Sequence, residues 1–238
     1  MRFIKKLFAT IILISLIFFV VIFYQGYDLY RNAIEKTSIA DVIEDIRSKE
    51  EFTSIDELPE DYINAVIAVE DRRFYSHNGI DIISIGRAII TDIKEMAFVE
   101  GGSTITQQVA KNNLFTQEKK ATRKIAEIFA AMDLEEHCTK DEIFELYVNT
   151  SYFGDGYYSV KEASNGYFDK EPKDMDLYEC TLLAGIPNAP SVYAPTKNPE
   201  LAKQRQAQVI EKMVDNEYLT QEEANKILET EKEINNEK

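Results

Sequence analysis

A carboxylate stands at the end of an apolar run in the stretch AVIAVEDRRFYSHNGID. One helical turn from Ile67 reaches Glu70, so the side chain of Glu70 projects from the face that the preceding turns bury. A carboxylate that is partly withdrawn from water suits the work of a general base. The ordinary alternative is a structural ion pair with Arg72, Arg73 or His77.

A glycine-rich helix start forms the second group of residues, in the stretch EGGSTITQQVAKN. The two glycines free the backbone, and Thr104 with Gln107 has the spacing of a capping box. The amides of that first turn form an anion site, and Lys111 lies two turns later, where its cation can reach a phosphate. An ordinary capped turn is the commoner explanation of such a segment. A nucleotide P-loop is excluded because the Gly-x4-Gly-Lys-Ser/Thr spacing is absent.

A second carboxylate follows on the helix predicted for TRKIAEIFAAMDLEE. Glu127 falls on one side of this helix, beside alanines that leave room for a substrate. Arg123 lies one turn earlier, and this spacing also fits a surface ion pair worth only about 0.3–0.5 kcal/mol. Two carboxylates on separate helices, with a cationic, amide-rich element between them, indicate glycosyl transfer at an anionic leaving group. The main apolar stripe, on the opposite side of the helix, consists of Ile125, Ile128, Phe129 and Met132.

The charge of the chain excludes a general nucleic-acid binder. Its 238 residues carry a formal net charge of −15, whereas binding to phosphate backbones depends on lysine and arginine. Residues 101–125 nevertheless contain five basic side chains against one acidic one. That local excess fits either a solvated face or a site for a small anion.

The first 24 residues predict a membrane anchor. Arg2, Lys5 and Lys6 form a basic flank, residues 1–6, before an uncharged run at residues 7–24. At about 1.5 Å per residue the run covers roughly 27 Å, close to the ~30 Å hydrocarbon core of a bilayer. A cleavable signal is the alternative, but the run is longer than usual and no small-x-small cleavage site follows it. The basic flank predicts a cytoplasmic N-terminus with the remainder outside.

The rest of the chain predicts one mainly α-helical domain. Period-two alternation is absent, capping boxes recur at Thr139 and Thr220, and the proline-rich stretch GIPNAPSVYAPTKNP is expected to be irregular. Cys138 and Cys180 lie on the predicted outer side, where a disulfide is allowed, but Cys180 also suits a buried free thiol. The predicted segments are a juxtamembrane helix or stalk at 25–52, the folded domain at 53–228 and a polar tail at 229–238.

Five motifs in this order resemble those of the peptidoglycan glycosyltransferases of family 51, monofunctional transglycosylase type. The resemblance runs from about Thr53 to Ile227. The first motif, Glu-Asp-x-x-Phe-x-x-His-x-Gly-x-Asp, begins at Glu70. The second, Gly-x-Ser-Thr-Ile-Thr-Gln-Gln-x-x-Lys-Asn, begins at Gly101, and the third, Arg-Lys-x-x-Glu, begins at Arg123. The fourth and fifth are KDEIFELYVNTSYFGDG and LLAGIPNAPSVYAPTKNP.

The resemblance implies a lysozyme-like helical fold that polymerises lipid II outside the cytoplasmic membrane. The donor is then the growing glycan on undecaprenyl pyrophosphate, and the acceptor is the 4-hydroxyl of an incoming lipid II. Attack inverts the anomeric carbon and gives a β-1,4 bond. Val148, Ala126 and Cys180 depart from the usual family residues, but none of them carries a role in this chemistry.

The resemblance also assigns roles to residues. It implies that Glu70 deprotonates the acceptor hydroxyl and that Glu127 lies at the donor pyrophosphate. The cations there would be Arg123, Lys111 and Lys119. No cofactor is required; Mg²⁺ or Mn²⁺ could join the pyrophosphate, although no cluster of metal ligands is visible. The further substrate-binding residues, of which the first four would shape the first-motif turn and the acceptor side, are Asp71, Arg73, Phe74, His77, Ser103, Thr104, Gln107, Gln108, Asn112 and Lys124.

The implied partners are lipid II, the growing lipid-linked glycan and the bacterial membrane. Because no Ser-x-x-Lys domain follows, transpeptidases and other cell-wall synthesis proteins are also expected. Phe98, Leu114 and Phe115 could contact lipid near the cleft, and core packing is the expected role of at least one of them. Two alternatives remain open: a lysozyme-like enzyme that cuts finished glycan, and an inactive scaffold for wall synthesis. Cations at the leaving group argue against the first, and the intact carboxylates argue against the second.

Overall fold

The computed structural model describes residues 2–95, 101–116 and 120–236, and these residues form helices joined by turns, without a strand. The prediction of a mainly α-helical domain is confirmed. The helices are α1 (Arg2–Lys36), α2 (Ile39–Arg47), α3 (Glu60–Glu70), α4 (Ile82–Glu95), α5 (Ile105–Leu114), α6 (Ala121–His137), α7 (Lys140–Val148), α8 (Val160–Phe168), α9 (Leu177–Gly185), α10 (Pro190–Tyr193), α11 (Pro199–Asp215) and α12 (Gln221–Asn236).

Capping boxes start several of these helices at the predicted positions. At α5 the Thr104 hydroxyl accepts from the amide of Gln107 at 3.1 Å, and the Gln107 side chain accepts from the amide of Thr104 at 3.1 Å. Each pair satisfies two backbone amides that have no acceptor within the helix, so the residue pattern is enough to predict where these helices begin. The same reciprocal pairing joins Thr139 to Glu142 and Thr220 to Glu223.

The core forms around α3, which packs against α9 and α11. Tyr62, Val66 and Ile67 of α3 are at most 2 % exposed. The stripe that they form leads along the helix to Glu70, the last residue of α3. The packing of α3 therefore carries this carboxylate into a partly buried position.

The two cysteines are free thiols, so the alternative of a disulfide is not realised. Cys180 is fully buried, in agreement with its place in the apolar segment YECTLLAG. Burial raises the pKa of the Cys138 thiol to about 11 and raises the pKa of Cys180 as well. Neither thiol therefore ionises near neutral pH.

Helix α2 belongs to the packed domain, whereas the sequence predicted a juxtamembrane helix or stalk up to residue 52. Ile39, Val42 and Ile46 are 4 %, 6 % and 1 % exposed and lie in the main core. Their spacing makes an amphipathic face, but only the contacts of α2 with α6 and α7 show what that face packs against. The domain therefore begins before the predicted boundary at residue 53.

The predicted anchor lies in α1, which continues without a break past residue 24 to Lys36. Its most apolar window of 18 residues has a mean hydropathy of 2.9, so the helix is long and apolar enough to cross a bilayer. At the end of the apolar run and beyond it, α1 packs on α6. The apolar segment and a part of the folded domain thus share one helix.

The most deeply buried face of α6 is the one opposite its main apolar stripe. Met132 of the stripe is 45 % exposed, whereas Glu127 and Ala131 are 1 % and 0 % exposed. The expectation that the alanines leave room for a substrate is wrong for Ala131, because the backbone of Gly79 packs against this residue. A methyl group on Gly79 would lie 3.0 Å from the carbonyl of Ala131, and the φ of Gly79, +79°, also favours glycine.

Asn149, in the fourth motif, ties the end of α7 to the segment before α3. Its Nδ2 donates to the carbonyl of Thr53 at 2.8 Å and to that of Glu145 at 2.9 Å. Its Oδ1 accepts from the amide of Thr53 at 2.9 Å. The side chain is buried, so water does not replace these bonds if they are lost.

Replacing Asn149 with alanine should lower the free energy of unfolding by about 2 kcal/mol, because two buried backbone groups of Thr53 lose their partner. Thermal unfolding in detergent, followed by far-UV circular dichroism, measures the loss. Asn165→Ala is the matched control, since it removes a solvent-exposed amide. Equal unfolding temperatures for the two variants would contradict the assignment.

Candidate active site

A cleft of about 960 Å³ opens between the end of α3, the start of α5, the buried face of α6 and the helices α10 and α11. It brings the two predicted carboxylates, Glu70 and Glu127, into one site. The proline-rich stretch, expected to be irregular, forms the four-residue α10 and short turns and supplies Pro187 and Tyr193 to the wall. The predicted site residues that line the cleft are Glu70, Asp71, Ser103, Thr104, Gln107, Gln108, Lys111 and Glu127.

Glu70 lies at this cleft with its side chain 9 % exposed. Its Oε2 accepts from Nε2 of Gln108 at 2.8 Å, while its Oε1 is buried without a hydrogen-bond donor among the described residues. The ion pairs considered as the alternative, with Arg72, Arg73 and His77, are not formed within the described part of the chain. One oxygen is therefore held by α5, and the other keeps its capacity to accept a proton.

Arg205 of α11 is a cleft residue that the sequence patterns did not single out. Its Nη2 lies 3.7 Å from Oε1 of Glu70, and its side chain is 13 % exposed. Its guanidinium also donates to Gln208 at 2.9 Å and lies 5.9 Å from the centroid of the Tyr193 ring. A signal was present, because Arg205 stands one helical turn after the buried Ala202. The contact places a positive charge beside the prospective base.

The rest of the first motif builds the loop that follows α3. Nε2 of His77 lies 2.9 Å from Oδ2 of Asp71, and the same oxygen accepts from the amide of Ile105 at 3.0 Å. Arg73 forms an ion pair with Asp81. Asp71 therefore fastens the start of α5 to the loop, which sets where α5 presents its side chains to the cleft.

Phe74 and Asn112 stand away from the cleft lining, although both were predicted to bind substrate. Phe74 is fully buried, with its ring against Phe144 and 4.7 Å from Nζ of Lys140, so its role is packing. Asn112 donates to the carbonyl of Thr150 at 3.3 Å. The other predicted residues that support the site without lining the cleft are Arg73, His77, Arg123 and Lys124.

Glu127 is 1 % exposed and is surrounded by cations. Nε of Arg123 lies 2.8 Å from its Oε1, and Nζ of Lys124 lies 3.0 Å from its Oε2. The contact with Arg123 is too oblique for a hydrogen bond, so it is an ion pair only. Lys124 also donates to the hydroxyl of Ser103 at 2.5 Å. The alternative of an exposed surface pair between Arg123 and Glu127 is wrong.

Lys111 lines the same cleft as both carboxylates. Burial lowers the pKa of its ammonium below the ordinary value. The charges of Glu127 and Glu70 act in the opposite direction, whereas Lys124 adds to the lowering. A cation that lines the cleft together with both glutamates is placed to stabilise negative charge that develops there.

Several predicted residues fall elsewhere. Lys119 and Phe98 lie outside the described residues. Leu114 and Phe115, for which lipid contact and core packing were the two expectations, are partly buried and pack on the core. Core packing therefore accounts for these two side chains.

The sequence of this cleft falls within a known family. The profile of the family described as "Transglycosylase" matches residues 36–214, which is most of the chain. The chain belongs to the transglycosylase family. The match begins at Lys36, in agreement with the inclusion of α2 in the packed domain.

The relatives of this transglycosylase are longer proteins. It is 47 % identical over 174 residues to penicillin-binding protein 1F of Bacillus subtilis (strain 168), which covers 73 % of this chain and 24 % of the relative. It is 43 % identical over 183 residues to penicillin-binding protein 1A of Neisseria lactamica, with 77 % and 23 % covered. The chain thus spans about a quarter of the length of these relatives. A crystal structure of penicillin-binding protein 1A from Haemophilus influenzae matches 74 % of this chain and 17 % of its own, with a TM-score of 0.45 and 22 % identity.

The described residues around Glu127 do not fit a metal ion held by the protein. Divalent cations such as Mg²⁺ prefer oxygen ligands, and no group of three or more His, Cys, Asp or Glu side chains converges within residues 2–95, 101–116 and 120–236. Both oxygens of Glu127 already face Arg123 and Lys124. A divalent cation bound to Glu127 would have to displace one of these side chains.

Glu135 of α6 is a second residue of this transglycosylase that the sequence patterns did not single out. Its Oε1 accepts from the Gly79 amide at 2.9 Å, the Thr106 hydroxyl at 2.6 Å and Nζ of Lys140 at 2.7 Å. These donors belong to the first-motif loop, to α5 and to the start of α7. The Thr104 hydroxyl adds a bond to the carbonyl of Gly79 at 2.7 Å. In the polar run EEH, Glu135 looks like any solvated acidic residue, so no local signal could have found it.

Glu135→Ala should lower the free energy of unfolding of the transglycosylase by about 3 kcal/mol, because the largely buried Lys140 loses its counter-charge and two further donors lose their acceptor. Removing both charges, in Glu135→Ala/Lys140→Met, should recover part of that loss. Chemical denaturation in detergent measures both values. A double variant less stable than the single one would show that Glu135 does not compensate Lys140.

Proposed function

We propose that this transglycosylase polymerises lipid II into β-1,4-linked glycan and releases undecaprenyl pyrophosphate. The growing lipid-linked glycan is the donor, and the 4-hydroxyl of an incoming lipid II is the acceptor. The observation that carries the proposal is that Glu70, Glu127 and Lys111 line one cleft. This arrangement suits a proton acceptor on one side of a reacting sugar and a charged leaving group on the other.

Glu70 acts as the general base on the acceptor side. It takes the proton of the 4-hydroxyl while that oxygen forms a bond to C1 of the muramoyl sugar of the donor. The bond from C1 to the pyrophosphate oxygen breaks on the opposite face, so the configuration at C1 inverts. Gln108 holds only one oxygen of Glu70, which leaves the other able to receive the proton.

The cations serve the donor side. The pyrophosphate gains negative charge as its bond to C1 breaks, and Lys111 lies in the cleft to stabilise that charge. Arg123 and Lys124 contribute positive charge without lining the cleft, and Glu127 fixes their positions. Fixed charges in a partly dehydrated cleft stabilise the leaving group more strongly than mobile charges in bulk water.

The membrane placement follows from the substrates. Both carry polyprenyl tails that stay in the bilayer, and an anchor through α1 confines enzyme and substrates to one surface. The basic residues before the apolar run support a cytoplasmic N-terminus with the cleft outside. Transpeptidases that cross-link the product, and other wall-synthesis proteins, are the proposed partners.

Purified full-length protein incubated with lipid II in vesicles should give polymer. Glu70→Gln should slow the reaction by about 10²–10⁴-fold while the protein remains folded, because the amide cannot accept the proton. Glu136→Gln, at an exposed position of α6, is the matched control and should polymerise normally. Polymer from Glu70→Gln at the wild-type rate, or fragments of finished glycan in place of polymer, would overturn the proposal. Adding EDTA or Mg²⁺ tests for a divalent cation that accompanies the pyrophosphate.

Lys111 should set the alkaline limit of polymerisation. Because burial lowers its pKa, the ammonium loses its proton and its charge at a lower pH than an ordinary lysine does. Activity should therefore fall as the pH rises through that lowered pKa. Lys111→Arg stays charged and should move the fall to higher pH, whereas Lys173→Arg, at an exposed position, should not. Identical alkaline limbs in the pH–rate profiles of wild type and Lys111→Arg would contradict this role.

A further inference from the structure

Helix α1 packs on α6 from the last turn of its apolar run onward. Gly26 is buried in this contact, although its neighbours in α1 are mostly exposed. A methyl group at Gly26 would lie 2.6 Å from Cβ and Cγ2 of Ile125 and 2.8 Å from the carbonyl oxygen of Thr122. These atoms belong to a helical backbone and a stiff, branched side chain, so they cannot yield without separation of the two helices. Glycine at this position therefore permits the contact.

An aromatic cluster continues the contact on the next turn of α6. The ring of Phe129 has three neighbours on α1, with centroid distances of 5.4 Å to Phe23, 5.1 Å to Tyr27 and 5.7 Å to Tyr30. The hydroxyl of Tyr30 donates to Oδ2 of Asp133 at 2.8 Å. Edge-to-face rings and a hydrogen bond are directional, so they define the rotation of α1 as well as its distance from α6.

The contact brings the donor side of the cleft close to the end of the apolar run. Ile125 and Phe129 face α1, and Glu127, between them in sequence, faces the cleft on the other side of α6. Gly26 lies two residues beyond Tyr24, which is about 3 Å of helix rise, and a helix is about 10 Å across. Glu127 therefore lies roughly one helix diameter from the point where the apolar run ends. A bilayer whose hydrocarbon core contains the apolar run would hold the pyrophosphate of a membrane-held tail near that same level.

We propose that Gly26 and Phe129 are positioning residues, which set the height of the donor site above the bilayer and thereby select donors whose pyrophosphate stays at the membrane surface. This inference rests on the proposed function for its substrate class. Helix α1 is unbroken from Arg2 to Lys36. The depth of its apolar run in the bilayer therefore sets the height of α6 above the bilayer. A flexible tether would also keep the protein at the membrane, but it would leave the height of the cleft undefined.

The first test measures geometry and does not require activity. The full-length protein is placed in vesicles and carries two substitutions. Cys138→Ser removes a native thiol, and Met132→Cys supplies the attachment point for a fluorophore, because Met132 of α6 is 45 % exposed. A quencher attached to the lipid headgroups then reports how close α6 lies to the bilayer. Gly26→Val should separate the helices and change the quenching, whereas Ala9→Val, a matched change at an exposed position of the same helix, should not. Unchanged quenching in Gly26→Val overturns the proposal.

The second test separates positioning from stability. Gly26→Val and Phe129→Ala should polymerise lipid II in vesicles about tenfold or more slowly than wild type, yet use a short-chain analogue in detergent micelles within about twofold of wild type. An equal loss with both substrates would show a structural role only and would overturn the proposal. If wild type uses neither substrate, the proposed function fails, and the quenching comparison still decides whether α1 positions α6.

Discussion

The burial of Glu127 is the constraint on which the rest of the site depends. A carboxylate that is 1 % exposed is costly unless opposite charges are buried with it, and Arg123 and Lys124 lie within 3.0 Å of its oxygens. Lys124 is held in turn by Ser103, from the glycine-rich start of α5. The cations are thus fixed before any substrate arrives, so little reorganisation is needed when negative charge develops in the cleft.

Helix α6 connects this charged group to the other parts of the molecule. On its buried face, Ala131 packs against the first-motif loop. In its last turns, Glu135 binds the loop, α5 and α7. On its outer face, Phe129 packs on α1. Glu70 is on a different helix, α3, and α5 lies between the two glutamates, because Gln108 holds Glu70 and Lys111 lines the cleft that both share. A shift of α6 would therefore disturb the cations beside Glu127, the loop that follows Glu70 and the contact with α1 together.

The sequence predicted those features whose signals are local. The capping box at Thr104 and the stripe that ends in Glu70 involve residues within about one helical turn of each other, and both were found in place. Glu135 was missed because its partners are distant: Glu135 and Gly79 are separated by 56 residues. Phe74 shows the converse limit, since its place in a motif indicated a binding role, whereas its full burial gives it a packing role.

The sequence by itself determined the helical class, the helix starts, the apolar run of α1 and the order of carboxylates and cations, because each depends on residues near one another in the chain. Only the tertiary structure decided that α2 joins the core, that Ala131 receives the loop at Gly79 and that α1 lies against α6. The physical reason is that hydrophobic burial has no preferred direction: a periodic pattern shows that a face must be covered, but the covering surface comes from residues far away in the sequence.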